Sequence, residues 1–263
     1  MRNLGDCIVA FSGGVDSSVV AAAAYRAQTK YPTQRVVAIT GVGLAVSEFD
    51  RKLAREVAEA IGIEHIELPT YEYNHPQYVR NDTQRCYHCK TELYACLKDY
   101  ARQHDFQTIA SGTNADDLQD FRPGLQAGHE AHVATPLADL HIDKAKVRDI
   151  ARLWDLSVAD RPAAPCLASR IAYGVSADAQ SIGLVQQAEE VLRRYGFVNF
   201  RVRLHENRLA RIEIALNELP RFREVVDWGH VSQAMRNIGF QYVTLDLQGL
   251  QSGSLNRVLP ILQ

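Results

Sequence analysis

No stretch of eighteen or more apolar residues occurs in this 263-residue chain, so no membrane-spanning helix is expected. The N-terminus, MRNLGDC, lacks the apolar core of a secretory signal, and the expected location is cytoplasmic. An excess of basic charge is missing too: 29 Lys and Arg stand against 31 Asp and Glu, a net of −2. A general nucleic-acid coat is therefore not expected, and an anionic partner has to be met locally. Cysteine is scarce, with five residues, and a cytoplasmic setting keeps thiols reduced, so no disulfide framework is expected. Cys7 and Cys96 read as small buried hydrophobes. Internal repeats, low-complexity tracts and a G-x-x-x-x-G-K-[S/T] loop are all absent. What is present is an ordinary globular composition, 46% hydrophobic, long enough for a large domain and a smaller one.

The first half alternates short apolar runs with helical segments. Strands are expected at 7–11, 35–40, 65–68 and 108–111, and helices at 17–28, 47–61 and about 91–103. Ser47 is a suitable N-cap for the second helix, and Gly62 a suitable stop. Strands separated by helices imply right-handed crossovers and an α/β fold with a doubly wound, mainly parallel sheet. Ligands in such sheets sit beyond the carboxyl ends of the strands. The rhythm changes after about Tyr173, where a helix at 177–195, strands at 200–204 and 209–215, a helix near 231–237 and a strand at 241–247 read as a smaller α+β unit with an antiparallel hairpin. The expected division is 1–159, a connecting loop at 160–175, and 176–263.

The stretch FSGGVDSS (11–18) leaves the first strand and opens the first helix. Gly13 and Gly14 allow a tight turn and a close approach to a ligand. The N–H groups of the turn and first helical turn then face an anion, with Ser12, Ser17 and Ser18 adding hydroxyls. Asp16 is out of place at a plain phosphate site, but suits a divalent metal held on pyrophosphate. A second carboxyl-end loop, SGTNADDLQDFRPG (111–124), contributes Gly112 to nucleotide binding and gathers Asp116, Asp117, Asp120 and Arg122.

RCYHCK (85–90) places Cys86 and Cys89 in C-x-x-C spacing, which suits a redox dithiol, part of a zinc site or part of an iron–sulfur site. Cys166, in an irregular loop near Arg161 and Arg170, is the best candidate for a reactive thiol, because nearby cations favour the thiolate. Arg201 and Arg203 are two apart on a strand and project from one face, a pattern that suits phosphate.

SGGVDS (12–17) resembles the signature of the PP-loop ATP pyrophosphatases, which cleave ATP between the α and β phosphates. This segment, together with 111–124, PAAPCLASRIAYG (162–174), RVRLHENRLARIE (201–213) and LDLQGLQSG (245–253), resembles the LarE family of sulfur transferases across nearly the whole chain. The resemblance implies adenylation of a carboxylate of pyridinium-3,5-biscarboxylic acid mononucleotide, with ATP and Mg²⁺, followed by sulfur delivery to give a thiocarboxylate for the nickel-pincer nucleotide cofactor. It implies that Cys166 is the sulfur-bearing residue and that Arg170, Arg201 and Arg203 contact substrate phosphate. Some family members carry only that cysteine and surrender its sulfur in a single turnover. Others carry three, and Cys86, Cys89 and Cys166 together imply a [4Fe-4S] cluster with one iron free to bind an extra sulfide from a donor. The family also implies a homo-oligomer. A tRNA thiolase with the same loop, a sacrificial-cysteine enzyme, and a nucleotide sensor without catalysis stay open as alternatives.

Overall fold

The computed structural model describes residues 4–119, 123–162, 165–251 and 253–258; Asp120 and Arg122 of the acidic loop lie outside them. The chain forms two compact units, one of residues 1–78 and 84–165, the other of 79–83 and 166–263. No described helix is long and apolar enough to cross a membrane.

In the first unit, β1 (Cys7–Ala10), α1 (Val15–Lys30), β2 (Val36–Val42), α2 (Glu48–Ile61), β3 (His65–Pro69), α3 (Pro76–Val79, whose last residue belongs to the other unit), α4 (Arg85–Gln103) and β4 (Thr108–Ala110) follow in order. α5 (Pro123–Glu130), α6 (Pro136–Asp139) and α7 (Lys144–Leu153) complete it. The sheet order is β3-β2-β1-β4, with every pairing parallel. β1 explains why both faces are covered. Its residues alternate between two apolar layers: Cys7, Val9 and Phe11 pack with Val19, Val57, Val147 and Ala151, whereas Ile8 packs with Ile39, Leu97 and Ala127. Strand order reverses between β1 and β4, so the loops after these two strands flank the switch point.

Local signals set the helix ends. The Ser47 hydroxyl accepts from Asp50 N at 3.1 Å at the start of α2, and Gly62 at φ +83° ends it. α1 begins two residues earlier than its apolar run suggested, at Val15, and Gly14 gives it no side-chain cap. Its first amides are thereby left for a ligand. α4 begins at Arg85, six residues before the expected start, so both cysteines of C-x-x-C lie in its first two turns.

The second unit contains α8 (Ala179–Arg193), β5 (Phe200–His205), β6 (Leu209–Ile214), α9 (Leu219–Val225), α10 (Trp228–Ile238) and β7 (Tyr242–Leu245). β5 and β6 form the antiparallel hairpin; β7 joins β6 in parallel after the α10 crossover. Val202, Ile212, Ile214, Leu192, Phe197 and Met235 form its buried interior. Segment 79–83 is sewn into this unit by Asn81, fully buried at φ +55°. Its amide donates to Ala172 O at 2.9 Å, Val175 O at 2.8 Å and Ile171 O at 3.4 Å.

Candidate functional site

The β1–α1 turn is built as a cradle. Gly13 sits at φ +69°, and a Cβ there would stand 2.9 Å from Ala54 Cα in α2, so both conformation and space demand glycine. Ser12 and Ser17 hydroxyls lie 3.2 Å apart, and Ser17 Oγ donates to Gly14 O at 3.0 Å. Gly14 N donates to Ser12 Oγ at 3.3 Å. These contacts hold the turn open above the N-terminus of α1, where amides and dipole favour an anion. Ser18, expected as a third ligand hydroxyl, is fully buried, and its Oγ has no hydrogen-bond partner among the described residues.

The loop after β4 closes on this cradle. A Cβ at Gly112 would stand 2.6 Å from Ser17 N, so backbone packs directly on backbone. Buried Asn114 then donates from Nδ2 to Asp16 Oδ1 at 3.1 Å, while its Oδ1 accepts Asp116 N and Asp117 N. Lys144, the first residue of α7, pairs through Nζ with Asp16 Oδ2. Its own backbone N donates to Asp116 Oδ2 at 3.0 Å. Neither Asn114 nor Lys144 stands out in the sequence: Asn114 lies within the 111–124 loop among more conspicuous acids, and nothing local links position 144 to position 16. Asp16 supplies one carboxylate beside a phosphate cradle, which fits Mg²⁺, an ion held by one or two carboxylates plus substrate phosphates.

The five cysteines fall into two chemical groups. None forms a disulfide; Cys86 and Cys166 are exposed and Cys89 half-buried. Burial pushes the Cys7 thiol up to about 12. Cys96 is pushed up to about 11, by burial first and then by neighbouring Glu92, and it is only half-buried rather than enclosed as expected. Both are held as thiols, whereas the metal-binding form is the thiolate. Cys86 and Cys89 are three apart on a helix and so share a face. The buried Arg85 brings Nη2 within 3.9 Å of Cys86 Sγ. Among the described residues, no group of three or more His, Cys, Asp or Glu side chains is gathered as a metal site.

In the second unit, Cys166 precedes a 3₁₀ turn, Leu167–Arg170, and its carbonyl accepts Ser169 Oγ at 2.7 Å and Arg170 Nη1 at 3.1 Å. The three arginines expected to hold phosphate have different situations. Arg170 Nε donates to the buried Glu189 at 2.9 Å. Arg203 grips the fully buried Glu213 through Nε at 3.0 Å and Nη2 at 2.8 Å, and donates to Ser169 O at 2.9 Å. Arg201 has no ion-pair partner among the described residues. Burial, then repulsion from Arg203 and Arg170, pushes its guanidinium down to about 10. A half-buried cation beside two others, with no counter-ion of its own, is suited to an anion.

A family model described as asparagine synthase matches residues 1–139, the span that contains the parallel sheet and the cradle. Pyridinium-3,5-bisthiocarboxylic acid mononucleotide synthase from Lactiplantibacillus plantarum is 33% identical over 260 residues, covering 98% of this chain and 92% of that one. The chain belongs to the LarE family. It is an ATP-dependent sulfur transferase on a PP-loop domain. An uncharacterized Synechocystis protein, slr1717, is 43% identical over 252 residues, 96% of this chain and 92% of its own. Among solved structures, the tRNA thiolase NcsA from Methanococcus maripaludis with its [4Fe-4S] cluster aligns at TM-score 0.46 and 20% identity, over 61% of this chain and 60% of that one.

Proposed function

We propose that this LarE protein adenylates a carboxylate of pyridinium-3,5-biscarboxylic acid mononucleotide and converts it to a thiocarboxylate, a reading supported by the L. plantarum relative, which is named as a pyridinium-3,5-bisthiocarboxylic acid mononucleotide synthase. The observation that carries the reading is Arg201, a half-buried cation with no ion-pair partner among the described residues, in the same unit as exposed Cys166 and suited to a substrate that brings its own phosphate. In the proposed sequence, a carboxylate oxygen attacks the α-phosphorus of ATP and pyrophosphate leaves toward the turn at Gly13 and the N-terminus of α1. Asp16 would hold Mg²⁺, which would supply neutralisation of charge on the phosphates. The acyl adenylate then carries a good leaving group, a sulfur nucleophile adds at the acyl carbon, and AMP departs with the former carboxylate oxygen.

The sulfur is proposed to come through the three accessible or half-accessible thiols. Cys86, Cys89 and Cys166 would each hold one iron of a [4Fe-4S] cluster, whose fourth iron supplies a place for an extra sulfide. Cys7 and Cys96 are left out of this donor set because burial disfavours their thiolates; among the described residues the three proposed thiols are not gathered into one site. Arg201 would meet the substrate phosphate directly, with Arg170 and Arg203, each tied to a buried glutamate, adding positive charge beside it. A sulfide donor reloads the site, and homo-oligomers are proposed to form through the smaller unit. In the alternative, Cys166 gives up its own sulfur once. Anaerobic iron and sulfide analysis, with mass measurement of Cys166 after turnover, separates the two. About four irons per chain and an unchanged Cys166 support the cluster reading; iron-free, active protein whose Cys166 has lost H₂S contradicts it.

A further inference from the structure

We infer that Lys144 is a pyrophosphate-binding residue that waits on Asp16 and is released to the phosphates when a divalent cation takes its place. The inference rests on the PP-loop reading of the site and adds a residue to it. Asp16 is an acid at a helix N-terminus built for anions, where it would repel the ligand it helps to hold. The pairing with Lys144 removes that repulsion before any ligand arrives, since ammonium and carboxylate cancel. Neither side chain is sealed in: Lys144 is 35% and Asp16 22% exposed, so the pair can open without exposing a buried charge.

The backbone is arranged for a swinging side chain rather than a moving helix. Lys144 N is pinned to Asp116 Oδ2, and Asp116 N is pinned in turn to Asn114 Oδ1. Asn114 holds the second oxygen of Asp16, and Gly112 of the same loop packs on Ser17 N. The base of Lys144 is therefore tied to the loop that lies on the cradle. From that anchor a flexible four-carbon stem carries a compact charge. A cation bound at Asp16 has to displace the ammonium, and the nearest compensation for it is the phosphate group on the adjoining amides. Binding of metal and binding of pyrophosphate are thus coupled through one side chain.

Two equilibria test this without an activity assay: Mn²⁺ alone followed by electron paramagnetic resonance, and pyrophosphate with Mg²⁺ followed by titration calorimetry. Lys144→Met is expected to bind free Mn²⁺ about three- to tenfold more tightly, because no ammonium competes. The same variant should bind magnesium pyrophosphate at least about tenfold more weakly, having lost a charged donor. Lys144→Arg should stay closer to wild type in both. Asp16→Asn, which frees Lys144 and keeps its charge, should bind metal-free pyrophosphate at least as well as wild type. Unchanged constants in Lys144→Met, or weakened Mn²⁺ binding, overturn the assignment and leave the site reading intact. Wild-type protein that binds no magnesium pyrophosphate overturns both.

Discussion

Arg201 and Arg203 of the second unit allow binding and folding roles to be separated by two substitutions two positions apart. Arg203→Met removes two hydrogen bonds, of 3.0 and 2.8 Å, from Glu213, which is fully buried. The carboxylate keeps Ser254 Oγ at 2.6 Å and Arg211 Nη2 at 3.2 Å. Breaking one partner from a buried pair costs about 3–5 kcal/mol, and the surviving contacts place this case at the lower end, about 3 kcal/mol. For a chain of this size that corresponds to a fall of about 6–12 °C in melting temperature. Replacing both partners, as Arg203→Met with Glu213→Leu, should recover most of the loss, since no charge is left buried alone. Arg201→Met should do the reverse. Its charge is opposed by burial and by two neighbouring guanidiniums, so stability should hold or rise while affinity for the mononucleotide phosphate falls at least about tenfold. Urea unfolding and calorimetric titration with the mononucleotide measure the two quantities. A loss under about 1 kcal/mol for Arg203→Met, or unfolding by Arg201→Met with unchanged affinity, refutes this division of roles.

Asn81→Ala removes three hydrogen bonds to the chain around Ile171–Val175 at a left-handed position, and should cost about 2–4 kcal/mol in chemical denaturation; a cost below 1 would show that segment 79–83 is held by other contacts. Gly112→Ala should weaken ATP binding at least about tenfold in calorimetry while far-ultraviolet circular dichroism stays unchanged, because its Cβ meets Ser17 N; normal ATP affinity would contradict the close packing of the two loops. Alkylation at pH 8, read by mass spectrometry on iron-free protein, should modify exposed Cys86 and Cys166 first and leave Cys7 and Cys96 largely intact, as their thiols ionise only near 12 and 11. Equal rates at all four would refute the grouping.

Much of this architecture can be read along the chain because it is specified locally. The cradle is one such case: its glycines, serines and position between strand and helix all lie within eight residues. The Ser47 cap and the Gly62 stop are others, as is the alternation in β1 that covers both sheet faces. The parallel addition of β7 follows from the α10 crossover, which neighbouring periodicity does not specify. What stays hidden is pairing at long range. Lys144 meets Asp16 from 128 positions away, and Asn81 reaches 90 or more positions to the Cys166 loop. Two arginines that look alike on one strand face differ because Arg203 grips Glu213 diagonally across the hairpin, although Arg201 is the residue opposite that acid in the register. Strand pairing alone does not specify which guanidinium takes the acid.

The central claim is that an oxygen of the substrate carboxylate becomes bonded to the α-phosphorus of ATP before sulfur arrives. Mononucleotide labelled with ¹⁸O in its carboxylates, turned over anaerobically with ATP, Mg²⁺ and sulfide, tests it most directly by mass spectrometry of the AMP. The account predicts one ¹⁸O in AMP for each thiocarboxylate formed, with release of one pyrophosphate. AMP without label, or thiocarboxylate formed with ADP and phosphate as products, would contradict it.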